Sequence, residues 1–286
     1  MQNCATEQYT EYLVPLRISG TRFPLFLFPK MEAFKDIAAL LHQDQPVYSV
    51  DIIKVCDAHP NCTMKELAAI CIQVIRKKQA FGPYYLCGWS AGGFVVYEMA
   101  AQLMEEGEEI GLLALLDSDV DRYSSFLFVK SPRLFLAYIG NRLSKYARNL
   151  LLGRFDKILT DALAFITPKP DKLSWLPTRA VLRILNRPTP KLFEINESSL
   201  DAACASYIPP PYAKGLVLFR AQDRGPEFDG NLTLGWDRCA KGAIDVHLVD
   251  GSHTDMLSES NVFCLTEKLT LYLDQTEGRI RESNMT

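Results

Sequence analysis

Gly88-Trp89-Ser90-Ala91-Gly92 sets one hydroxyl between two glycines, with a third glycine following at Gly93. An apolar run, Tyr84-Tyr85-Leu86-Cys87, precedes it, and an Ala-rich segment reaching Ala101 follows. Strand, Gly-x-Ser-x-Gly and helix in that order make the context of a nucleophile elbow, a sharp turn that presents a serine for attack on a carbonyl. The turn leaves almost no room beside the serine, hence glycine at 88 and 92. The N–H groups heading the helix then point at whatever negative charge grows on the substrate. Outside that context the same residues would make only a small-residue turn in a parallel sheet.

A serine at neutral pH needs a base, and the chain has four histidines. His42 and His59 precede the elbow, beside a predicted helix and in a loop, and read as surface residues. His247 lies inside a strand pattern, where a structural role fits better. His253 follows the last strand in Val249-Asp250-Gly251-Ser252-His253, a Gly-containing loop ahead of the final helix. The chain order Ser…Asp…His places the base there. A third group must fix the imidazole tautomer and stabilise the imidazolium. Asp117, 27 residues beyond Ser90 at the end of the next strand, leads for that role. Asp223, in a polar turn beside Arg224 after the following strand, and Asp119 are the alternatives.

The oxyanion formed during attack needs preorganised N–H donors. The backbone N–H of Ala91 is one expected donor. The second should come from the turn after Phe23–Phe28; Pro29 has no N–H, so Lys30 or Met31 must supply it.

The elements that must position these groups alternate between strands and helices. Tyr12–Ile18 reads as an edge strand, Phe23–Phe28 and Pro46–Val50 as further strands, and Phe34–Leu41 as a helix. Thr63 and Glu66 form a capping box for a helix whose apolar stripe is Leu67, Ile70, Cys71, Val74 and Ile75. Gly111–Leu116 is an unbroken apolar strand of the buried parallel kind. Leu216–Phe219 and Ala243–Val249 are strands, and Asn261–Leu273 a closing helix. The expected class is α/β: one domain over 1–286, a mostly parallel sheet flanked by helices, with a helical lid at 121–205 inserted between two late strands, as in an α/β-hydrolase. One lid helix is expected over Pro132–Leu152.

Charge singles out the insertion. Residues 121–193 hold 14 Lys and Arg against 4 Asp and Glu, a balance of +10, while the remainder carries −13. Such polarity fits a basic surface for an acidic protein or a phosphate-bearing group, or else the solvated face of amphipathic helices. The net charge of −3 argues against a nucleic-acid binder. No apolar run approaches the roughly 18 residues of a spanning helix, so stable membrane insertion is not expected. Met1-Gln2-Asn3-Cys4 lacks the basic and apolar regions of a signal peptide. The eight cysteines are scattered in apolar company with no Cys-x-x-Cys pair, which points to reduced thiols in a cytoplasmic protein and to no metal site.

Several stretches resemble one family. Tyr84-Tyr85-Leu86-Cys87-Gly88-Trp89-Ser90-Ala91-Gly92-Gly93 is similar to the elbow of thioesterase domains from polyketide synthases and non-ribosomal peptide synthetases, relatives of the fatty-acid synthase thioesterase. Leu13-Val14-Pro15-Leu16-Arg17 with Pro24-Leu25-Phe26-Leu27 resembles the family's entry, and Gly82-Pro83 and Tyr97-Glu98-Met99-Ala100 flank the elbow as expected. Leu115-Leu116-Asp117-Ser118, Tyr207-Ile208-Pro209-Pro210-Pro211-Tyr212, Gly235-Trp236 and Gly251-Ser252-His253 complete the set. The resemblance runs from about Leu13 to Asp274 except in the insertion. One departure stands out: the family commonly shows His-Pro-x-Gly-Gly after the second strand, where this chain has Phe28-Pro29-Lys30-Met31-Glu32.

The resemblance implies Ser90 as nucleophile, Asp117 as orienter, His253 as base and Ala91 in the oxyanion hole. It further implies cleavage of an acyl thioester held on the phosphopantetheine arm of an acyl or peptidyl carrier protein, by hydrolysis or macrocyclisation, with no diffusible cofactor. Rival expectations are a stand-alone editing thioesterase, a lipase-like esterase with a basic amphipathic lid, and a non-catalytic docking module.

Overall fold

The computed structural model describes residues 10–120, 199–224 and 232–283. These described residues belong to one compact unit. The helix expected over Pro132–Leu152 and most of the expected lid lie outside the described residues. The described strands are β1 (Leu13–Arg17), β2 (Leu25–Phe28), β3 (Val47–Val50), β4 (Tyr84–Trp89), β5 (Ile110–Leu116), β6 (Leu216–Ala221) and β7 (Ile244–Val249). They form a sheet in the order β1-β3-β2-β4-β5-β6-β7. Edge strand β1 runs antiparallel to β3, and the other pairs are parallel. The expected mostly parallel α/β sheet is what the chain forms.

Helices α1 (Phe34–Leu40), α2 (Ile52–Ala58), α3 (Met64–Arg76), α4 (Ala91–Glu105), α5 (Ser199–Ser206) and α6 (Glu259–Ser283) accompany the sheet. Alternating strand residues such as Leu25, Leu27, Tyr85, Cys87, Ala114, Leu116 and Phe219 share a core with Phe34 and Ile37 of α1 and Leu265, Leu269 and Leu273 of α6. The intervening residues face the opposite side, where α3 packs on α4 and both meet the sheet. Covering both faces explains the unbroken apolar runs, and Leu25 to Phe28 are wholly buried. Thr63 and Glu66 do form the expected capping box at the start of α3.

Two elements differ from the sequence reading. Helix α2 was not anticipated: it is a seven-residue helix, capped by the Asp51 carboxylate on the Lys54 amide and rich in residues of modest helix propensity. Helix α6 runs well beyond Leu273, because its second half buries Thr276 and Glu277 rather than an apolar stripe. Residues 199–206, inside the expected lid, form α5 and pack on α2, α3 and α4 with Leu200, Ala203 and Cys204 buried.

Candidate active site

The elbow is built by steric exclusion. Ser90 has φ 53° and ψ −121°, a sparsely populated backbone conformation that persists only where the surroundings over-determine it. A Cβ on Gly88 would lie 2.4 Å from the Gly92 carbonyl oxygen, and one on Gly92 would lie 2.4 Å from that of Phe28. Neither position tolerates a side chain without backbone movement. The Ser90 amide donates to the Leu116 carbonyl at 2.9 Å, fixing the turn to the end of β5.

Ser90, His253 and Asp117 come together at the carboxyl ends of the strands. His253 Nε2 lies 3.0 Å from Ser90 Oγ, and its Nδ1 lies 2.7 Å from Asp117 Oδ2. An ionised carboxylate only accepts, so Nδ1 carries the proton and Nε2 is left to accept from the Ser90 hydroxyl. The His253 side chain is about one-quarter exposed at 24%, whereas that of Asp117 is fully buried. Trp89 stacks on the imidazole with ring centroids 4.6 Å apart, and its Nε1–H donates to the His253 carbonyl at 3.3 Å. The His253 loop is held by the Ser252 hydroxyl on Asp255 at 2.5 Å and by Asn261 on the Asp255 carbonyl at 3.0 Å.

Among the three acids weighed, Asp117 is the one in contact with His253. Asp223 is exposed, and its backbone N–H donates to the Gly251 carbonyl at 3.0 Å. Asp119 is buried and accepts from Arg224 Nη1 at 2.7 Å. Asp117 takes the Ala221 amide on Oδ1 at 2.9 Å, and Arg224 Nη2 and Nε on Oδ2 at 2.8 and 3.3 Å. Burial alone would raise the Asp117 carboxyl, but the hydrogen bonds from His253 and Arg224, with the Arg224 charge, outweigh it and hold the group below its ordinary value. Arg224 was missed in the sequence, where it sat in a turn that read as open and polar. Its side chain is only 7% exposed.

Ala91 is the first residue of α4, so its N–H belongs to the set that a helix start leaves without an intrahelical acceptor. The turn after β2 abuts this point, as the closeness of Phe28 to Gly92 requires. Lys30 in that turn is exposed, and its ammonium pairs with Asp51 at 3.3 Å. His247, on β7, accepts or donates at 2.7 Å with Tyr272 of α6, as a structural histidine does. Burial pushes the Cys56 thiol up to about 12, and Cys71 and Cys87 are likewise buried and free. Among the described residues no cluster of His, Cys, Asp and Glu is placed to hold a metal ion, and no helix is long and apolar enough to cross a membrane.

The family model described as Thioesterase domain matches residues 23–124, a stretch holding β2 to β5, the elbow and Asp117. A non-reducing polyketide synthase of Nectria sp is 37% identical over 137 residues, which is 46% of this chain and 7% of that protein. A dimodular nonribosomal peptide synthase of Bacillus subtilis is 27% identical over 290 residues, 95% of this chain and 11% of that protein. The chain therefore spans a small fraction of the length of these relatives. The NocB thioesterase domain from the nocardicin cluster superposes with a TM-score of 0.57 at 22% identity, covering 92% of this chain and 99% of that one. That likeness establishes a shared fold, the α/β-hydrolase arrangement.

Proposed function

We propose that the chain is a thioesterase domain, as the match of residues 23–124 to that family model supports, and that Ser90 releases an acyl chain from the phosphopantetheine arm of a carrier domain. The observation that carries this reading is the unbroken line of contacts from Ser90 Oγ through the His253 ring to Asp117, 3.0 and 2.7 Å long. His253 Nε2 takes the Ser90 proton as Oγ attacks the thioester carbonyl. The negative charge on the carbonyl oxygen is met by the Ala91 N–H and, as second donor, the Lys30 N–H. Collapse breaks the C–S bond, and the imidazolium returns its proton to the departing thiol. An acyl-Ser90 ester remains.

In the second half, water or a hydroxyl or amine of the same acyl chain attacks the ester while His253 takes its proton. Collapse restores the Ser90 hydroxyl and releases an acid or a ring. Asp117 stabilises the imidazolium in both halves and stays ionised, in keeping with its low carboxyl pKa. No step calls for a metal or a diffusible cofactor. The acidic partner is a carrier domain, which suits the +10 balance of residues 121–193. We read 121–205 as the lid of the single domain and the protein as cytoplasmic. The test is turnover on an acyl thioester of a holo carrier domain beside a simple ester of the same acyl group. Preference for the carrier thioester supports release, and preference for the ester favours the lipase-like reading.

A further inference from the structure

Arg224 is where the site departs from a simple three-residue arrangement. Its guanidinium and the His253 imidazole share one acceptor, Asp117 Oδ2, at 2.8 and 2.7 Å. When His253 takes a proton, two cations meet at that oxygen inside a buried site, where charges act on each other far more strongly than in water. Such an arrangement by itself would make His253 a poorer base. The far nitrogen of the same guanidinium, Nη1, donates to Asp119 Oδ2 at 2.7 Å, and the Asp119 side chain is 3% exposed. Asp117, Asp119 and Arg224 together carry one net negative charge, the same as a lone orienting aspartate would.

We propose that Asp119 and Arg224 are a charge-compensating pair that sets the basicity of His253 through Asp117, Arg224 lowering it and Asp119 restoring it. The proposal rests on the reading of Ser90, His253 and Asp117 as a working set. Both are positioning residues. Arg224 fixes the Asp117 carboxylate in place with two hydrogen bonds, and Asp119 cancels the electrostatic penalty of that clamp. The backbone is shaped for the purpose. Asp117 has φ 45°, a left-handed conformation that turns the chain just past β5, and Asp119 comes round to the same guanidinium. The turn that delivers Arg224 is bonded through the Asp223 N–H to the Gly251 carbonyl, which ties it to the His253 loop.

Among the described residues, the other groups in contact with the imidazole are the Ser90 hydroxyl and the uncharged Trp89 ring from the elbow. Lys30, paired with Asp51, lies in the turn after β2, and the exposed Asp250 and Asp255 lie on the His253 loop itself. None of these changes in the test.

The test is an NMR titration of the full chain with isotope-labelled histidine, the His253 signal being assigned from His253→Gln. Asp119→Asn keeps the shape and an acceptor for Nη1 while removing one negative charge, so the His253 midpoint should fall by roughly half to one pH unit. Arg224→Gln removes the cation, and the midpoint should rise by a similar amount. The double variant should return close to wild type. A merely structural role would leave the midpoint in place, and an unchanged or raised midpoint in Asp119→Asn overturns the proposal. Because the two single changes act in opposite directions, either one that keeps its fold by circular dichroism decides the matter. Labelling of Ser90 by a fluorophosphonate in wild type is read alongside. Its absence would sink the serine-nucleophile reading, whereas labelling with an unmoved His253 midpoint would sink only the pair.

Discussion

The Ser90 amide donates to the carbonyl of Leu116, the residue immediately before Asp117, at 2.9 Å. One backbone hydrogen bond thus ties the elbow to the strand end that carries the acid. The tie continues outward, since the Asp117 amide donates to the Phe219 carbonyl at 2.7 Å and the Ala221 amide to Asp117 Oδ1 at 2.9 Å. The ends of β4, β5 and β6 are therefore locked together beneath the site, which makes the consequences of single changes specific.

Asp117→Asn should keep the carboxylate's shape but lose its charge and its claim on the proton of Nδ1. The imidazole can then turn its protonated nitrogen toward Ser90, the wrong tautomer for a base. In serine triads this change costs about four orders of magnitude in rate, and a comparable loss is expected in acyl transfer to Ser90. Rates of fluorophosphonate labelling would measure it. A loss of less than tenfold would contradict the role given to Asp117.

Acid should weaken the protein through the same residue. The folded-state pKa of Asp117 is held below its unfolded value of about 3.9, so its stabilisation is fully present above that pH and is lost as the pH falls through the lowered value. Denaturant melts at pH 7 and pH 3 should show a loss in the wild type that is smaller in Asp117→Asn. Equal losses would mean that Asp117 contributes nothing to acid sensitivity.

Two glycines offer an internal contrast. Gly92→Ala drives a Cβ to within 2.4 Å of the Phe28 carbonyl oxygen, and relief of that clash requires backbone shifts costing about 1–3 kcal/mol. Gly278 lies inside α6 with nothing within 4 Å of an added Cβ, so Gly278→Ala should instead stabilise by about 0.5–1 kcal/mol. Thermal melts of the two variants should move in opposite directions.

The chain returning from the insertion is pinned to the elbow helix by buried polar contacts. Tyr207 donates to Glu98 Oε2 at 2.7 Å, Gln102 donates to Oε1 at 2.9 Å, and Tyr97 donates to the Pro210 carbonyl at 2.8 Å. Tyr207→Phe strips one donor from a buried carboxylate and should cost about 1–3 kcal/mol in urea melts. A change below a few tenths would show that the contact is dispensable.

What the sequence disclosed, and what it hid, follows from the range of the interactions. Gly88 and Gly92 are dictated by contacts within a tight turn and its immediate neighbour, so the elbow is visible in five residues. The Thr63–Glu66 box is equally local, reciprocal across three positions. Arg224 is different, because its partners Asp117 and Asp119 lie 107 and 105 residues away, and nothing beside it marks burial. Only the fold reveals that the turn is closed. Helix α6 outran its apolar stripe for a related reason: Glu277 is buried where it accepts from the Tyr85 hydroxyl at 3.0 Å, a pairing 192 residues apart that hydropathy reads as surface.

The most direct test of the central claim is intact mass spectrometry of the protein after mixing with an acyl-loaded holo carrier domain, wild type beside Ser90→Ala. The account predicts a transient gain of one acyl mass on wild type, no gain on Ser90→Ala, and a released acid or ring only with wild type. An acyl adduct that persists in Ser90→Ala, or product release by that variant at the wild-type rate, would contradict it.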